Sequence, residues 1–241
     1  MDSRLKTTIK CTFMLMRRQL VTLVMIEVIM LLLFTRFKFN SIAAGNDMIP
    51  LMYLFLCGMK MFEVHTPFCI SNAVSLRSRL ISLGTGAGAM CLFTALSDHM
   101  VRYAIMMSTE QPETVTRISA GSIVRYFIHA NDLNAGVIFF DIPEMFAIGL
   151  GLFSLGYFIG SVRYSRGGGY VLLWAFGAAL FMGGCTALSY FRGINFLKFI
   201  FMLPAYAMKT RLTSAVFGLL IAAALTAGAV RISEAPGEIS R

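Results

Sequence analysis

Apolar residues in this chain come in runs of about twenty, and that spacing restricts the fold more than any other feature. The runs are roughly Gln19–Phe34, Met48–Val64, Leu80–Val101, Val137–Val162, Tyr170–Tyr190 and Leu212–Val230. A helix needs about 20 apolar residues to cross a hydrocarbon core of about 30 Å. Backbone polar groups inside lipid must pair within the segment, which favours helices. A weaker run, Phe196–Met208, contains Pro204 and is too short to cross alone. The expectation is an all-α, polytopic membrane helix bundle of about six transmembrane helices.

Composition excludes the alternatives. Of 241 residues, 57% are hydrophobic and 14% charged, with a mean hydropathy of +0.74. A soluble domain is closer to 45–50% apolar and about 25% charged. Disordered chains are poor in apolar residues, so disorder is excluded too. The formal net charge of +9 would suggest nucleic acid in a soluble protein. Here the basic residues flank apolar runs, where they anchor helices and set orientation, and no nucleic-acid partner is expected. The five cysteines, Cys11, Cys57, Cys69, Cys91 and Cys185, form no CxxC pair. They read as reduced membrane-core residues.

Residues 1–18 are basic and amphipathic. Leu5, Ile9, Phe13 and Met16 share one side of a helical wheel, with Lys6, Lys10 and Arg17 beside it. This pattern predicts an N-terminal amphipathic helix lying in the interface. Residues 19–230 then hold the spans and loops, and 231–241 a cytoplasmic tail, all in one membrane domain. Five basic residues precede the first run and two follow it. By the positive-inside rule both termini face the cytoplasm of a multi-pass plasma-membrane protein. The longest connection, about Arg102–Gly136, then lies outside and is too short for a substantial domain.

The chemistry that is missing narrows the function. No GxxxxGK[ST] occurs, so this chain has no phosphate-cradling loop for ATP. No His pattern suits a metal and no Gly-x-Ser-x-Gly elbow supports a hydrolase, so no catalytic or metal residue is expected. Gly84-Thr85-Gly86-Ala87-Gly88-Ala89 lies inside a span and reads as a close-packing surface, as does Gly156-x3-Gly160. Glu27 stands midway along the first run, where a carboxylate costs roughly 2.5 kcal/mol or more. It should face protein or a water-filled cavity. Lys60, inside the second run with Glu63 one turn away, is its expected partner. The three form either a transport-path contact or a structural ion pair.

The connection after the second run reads Pro67-Phe68-Cys69-Ile70-Ser71-Asn72-Ala73-Val74-Ser75-Leu76-Arg77-Ser78-Arg79-Leu80. It resembles the Phe-x3-Asn-Gly-Val-Ser-Arg-Lys-x-Phe segment of small ABC-2-type transporter permeases of Gram-positive bacteria. Phe68, Asn72, Val74 and Ser75 match; Ala73 replaces the usual Gly, and Leu76-Arg77 breaks the usual Arg-Lys. The glycine-rich stretch from Gly156 to Gly169, with Arg163 and Arg166, is similar to the end of their fourth span.

The resemblance implies the permease subunit of an ATP-driven exporter, coupled to a separate ABC ATPase subunit that holds ATP and Mg. It implies no cofactor on this chain, a second permease copy as partner, and export of amphipathic or hydrophobic peptides. It also implies a short cytoplasmic coupling helix over residues 68–79, with Phe68, Asn72, Val74, Ser75, Arg77 and Arg79 meeting the ATPase. Two other classes stay open. An ion-coupled secondary transporter would suit Glu27 and Lys60, and a membrane-embedded enzyme would need polar groups converging at one depth.

Overall fold

A computed structural model describes residues 3–37, 48–108, 141–173, 176–177 and 211–234. Among them every regular element is a helix: α1 Ser3–Phe37, α2 Met48–Ser71, α3 Leu76–Ser108, α4 Asp141–Arg166 and α5 Arg211–Glu234. Three stretches are long and apolar enough to cross a membrane: Leu76–Val101, Ile142–Arg166 and Ala215–Ser233. The expected connection from Arg102 is shortened, because α3 continues to Ser108. The segment 109–140, the run Phe196–Met208 and most of Tyr170–Tyr190 lie outside the described residues.

Helix ends follow from local chemistry. Pro50 and Pro143 each stand third in their helices, where a backbone N–H has no intrahelical acceptor to lose. At the end of α4, Gly167 takes φ +85° and its N–H donates to the Arg163 carbonyl at 2.9 Å. Arg163 and Arg166 lie in that last turn, where cations complement the helix dipole.

The N-terminal segment differs from expectation. It does not form a separate interfacial helix; α1 runs unbroken for 35 residues, or about 52 Å at 1.5 Å per residue. No Gly or Pro interrupts residues 3–37, so nothing forces a bend at 18. Thr8, Thr12, Met16, Leu23 and Glu27 form its buried stripe. Met16 and Thr12 pack over Gly86 of α3, while Phe13 is exposed.

Pairwise contacts fix the directions. Met16 meets Gly86 and Glu27 meets Ser97, so α1 and α3 run parallel. Phe55 and Met59 face Gly156, Met59 and Phe62 face Gly160, and Glu63 reaches Arg163. Helices α2 and α4 are therefore parallel as well. Gly218 rests on Ala147 and Gly228 on Phe158, so α5 runs with α4. The most extensive seams are α4 with α5, α4 with α2, and α1 with α3; α2 and α3, though joined by a short turn, touch little.

The α2–α4 seam depends on missing side chains. A methyl group at Gly58 would overlap the Phe153 carbonyl, and one at Gly156 the Phe55 carbonyl. Glycines let two backbones meet in this way. Around the seam Leu54, Cys57, Met61, Phe62, Met90, Cys91, Phe153 and Tyr157 form the buried core. Of the expected packing glycines, Gly86 is used against α1, whereas Gly84 is exposed with open space beside it.

Candidate functional site: the α2–α3 hairpin and the buried polar groups

The segment expected to be a coupling helix is instead a tight turn between two long helices. Phe68–Ser71 is the last turn of α2, and α3 begins at Leu76. The Ala73 N–H donates to the Ile70 carbonyl at 3.0 Å and the Val74 N–H to the Cys69 carbonyl at 2.9 Å. Those two bonds are the Schellman arrangement, which needs a left-handed residue at its corner. Ala73 takes that role with φ 49°. Glycine suits this conformation best, and Ala73 stands where the resembled segment carries Gly.

Asn72 and Ser75 act locally. The Asn72 side-chain amide donates to the Phe68 carbonyl at 2.8 Å. Ser75 precedes the first residue of α3, and its hydroxyl oxygen accepts from the Ser78 N–H at 3.4 Å, an N-cap geometry. The two caps hold the corner and leave no room for a separate helix.

The turn presents a mixed surface outward: Ser71, Asn72 and Ser75 are exposed, with two apolar side chains and one cation beside them. Ile70 is 57% exposed and Leu76 40% exposed; Arg77 is exposed, and Phe68 and Val74 are half-buried. Ile70 and Leu76 were not singled out in the sequence; two apolar residues flanking a capped turn were the available signal. Arg79 departs from expectation. It is only 5% exposed, and its guanidinium donates to the Ser233 hydroxyl of α5 at 3.1 Å. It points into the protein and not toward a partner.

Arg79 belongs to a polar cluster that joins α2, α3, α4 and α5. His65 Nε2 lies 3.2 Å from the Ser82 hydroxyl. Ser82 donates its one proton to the Arg79 carbonyl at 3.0 Å, so His65 Nε2 is the donor to Ser82. Cys69 Sγ lies 3.5 Å from the same nitrogen. Thr66 and Tyr157 share a 2.9 Å hydroxyl contact. The positive charge of Arg79 acts on His65, Cys69 and Tyr157. His65, Thr66 and Ser82 are all buried, and the cluster acts as an interlock.

The charged residues are arranged differently from the expected trio. Glu27 is 4% exposed and accepts from the Ser97 hydroxyl at 3.2 Å. Lys60 does not pair with it. Lys60 is exposed on α2, and Glu63 pairs instead with Arg163 of α4 at 3.3 Å. Two further carboxylates are buried, Asp98 on α3 and Glu144 on α4. Neither stands in a sequence pattern that marks it for burial: each is a single acidic residue in or beside an apolar run. Among the described residues no group of His, Cys, Asp and Glu is placed to hold a metal.

Comparison of the chain with protein-family models, curated proteins and solved structures gives no match.

Proposed function

We propose that this chain is the membrane-spanning permease subunit of an ATP-driven exporter. It would have about six spans with both termini cytoplasmic, and work with a separate ATPase subunit and a second permease copy. The observation that carries the reading is the α2–α3 corner. Its left-handed Ala73 sits at the glycine position of the resembled permease segment, and its tip turns Ile70, Leu76 and Arg77 outward. Two apolar side chains and a cation on an otherwise polar tip suit a groove with an acidic rim on a partner. The revised contact set is Phe68, Ile70, Val74, Leu76 and Arg77, without Arg79. Spans rich in Met and Phe, 17 and 21 residues in the chain, suit an adaptable apolar cargo such as an amphipathic peptide.

The test is co-expression of this chain with candidate ABC ATPase subunits, followed by cross-linking and co-purification. Phe68→Ala should weaken association by about 2 kcal/mol if its ring is an anchor. Arg77→Glu should weaken it in a salt-dependent way. Labelling of residues 70–77 from outside the cell would reject the reading. So would nucleotide hydrolysis by the isolated chain.

A second reading, ion-coupled secondary transport, is favoured by the burial of Glu27, Asp98 and Glu144. Buried carboxylates in membrane helices mark ion or proton paths in many transporters. Transport that follows an imposed ion gradient in the absence of ATP would select it.

A further inference from the structure

We infer that the Arg163 end of the α2–α4 seam is a binding site for the headgroup of an anionic phospholipid, with Lys60 and Arg163 as its cationic contacts. The inference rests on the membrane-spanning reading above, but not on the ATPase. It starts from the exposed face of α2, which carries Ile49, Met52, Leu56 and Val64. Lys60 is the one cation on that face. Among the described residues it has no hydrogen-bond or ion-pair partner, unlike Glu63 a turn further on. A lysine on an apolar, lipid-facing surface lays its stem along the helix and sends its ammonium to the headgroup level.

That level is marked at the same end of the α2–α4 seam. Tyr164 is 58% exposed, and its ring packs edge-on against Phe62 with centroids 6.0 Å apart. Tyrosines concentrate where acyl chains meet headgroups. Arg163 beside it reaches across to Glu63 at 3.3 Å and stays largely exposed itself. The guanidinium has five N–H donors, and one carboxylate leaves several for a phosphate. Arg166 follows one turn on, lying 5.7 Å from the Tyr170 ring centroid. The floor of the groove is low because Gly160 rests on the backbone of Met59. Lys60 and Arg163 against the one Glu63 carboxylate leave a net positive notch at a membrane edge, which fits a phosphodiester. A protein neighbour fits less well, because the apolar rows above the notch match acyl chains continuing upward.

The test uses the full chain, purified from membranes with whatever subunits accompany it. Thermal unfolding is followed while micelles are doped with phosphatidylglycerol or phosphatidylcholine. Phosphatidylglycerol should stabilise at lower mole fraction than phosphatidylcholine. Lys60→Gln should weaken that preference about fivefold, the effect of one basic contact near an anionic surface. Lys60→Met, which keeps an apolar stem, should do the same. Glu63→Gln frees Arg163 and should strengthen the preference, whereas a merely structural ion pair would show lost stability and no gain for the anionic lipid. Equal response to both lipids, or a preference unchanged in both Lys60 variants, overturns the site. Equal stabilisation by inorganic phosphate overturns the lipid assignment. A change of oligomer size on Lys60→Gln without any lipid preference gives the face to a protein neighbour and also overturns it. Release of the chain by alkaline carbonate reads separately, since it would remove the membrane reading on which the site stands.

Discussion

Arg77 and Arg79 are two residues apart, which on a helix places them on nearly opposite sides. Arg77 faces out; Arg79 is buried and bonded to Ser233. Their substitutions should therefore separate. Arg79→Ala removes a buried charged side chain and its hydrogen bond to the half-buried Ser233, a loss of about 2 kcal/mol, while Ser233 keeps its bond to the Val230 carbonyl. Arg77→Ala should leave stability within about 0.5 kcal/mol. Melting of the two variants in detergent checks this; equal losses would place both side chains in the core. The sequence made the basic pair visible but not its division, because sidedness depends on where α3 begins. That start is fixed by Ser75 as N-cap. Glu27 was easier to read, since a carboxylate amid apolar residues must avoid lipid. Its neighbour Ser97 is 70 residues away and carries no pattern.

Among the elements, the α2–α4 seam is where backbone geometry leaves the least freedom. Gly156→Val would push side-chain atoms into the Phe55 carbonyl, and no rotamer removes a clash at Cβ. The variant should fail to give a monodisperse protein, or lose more than about 3 kcal/mol, in line with overpacking at its upper end. Gly84→Val meets open space and should be tolerated; size-exclusion profiles of the two distinguish them. Both glycines sit in small-residue patterns that look alike in sequence. Helix-forming runs were legible because periodicity and length are local properties, whereas the choice of packing face is made by the partner helix. The break expected at residue 18 failed for a related reason. A change of composition from basic to apolar does not end a helix when no Gly, Pro or cap accompanies it, and α1 continues through it.

At the scale of the whole molecule, α2, α4 and α5 share one direction and α1 and α3 the other. Two parallel helices need an odd number of crossings between them if both span a bilayer. The proposed six-span arrangement then needs one crossing between α4 and α5, and the apolar run Tyr170–Tyr190 is the stretch of sequence long enough for it. Single cysteines at positions 77, 166 and 231 in a cysteine-free background should then be labelled from one side of the membrane. Cysteines at 100 and 142 should be labelled from the other. Labelling of 166 and 231 from opposite sides would break the six-span arrangement. The same topology has a consequence for biogenesis. The large seams join helices that are not sequence neighbours, with Gly58 waiting for Phe153 and Gly86 of α3 covering an α1 made long before. A chain emerging from a ribosome delivers α2 about a hundred residues ahead of the surface that covers its glycine, and non-local pairings of this kind form late. Until α4 arrives, α2 carries its notch open; if the chain spans a membrane as proposed, lipid or the insertion machinery has to shield it.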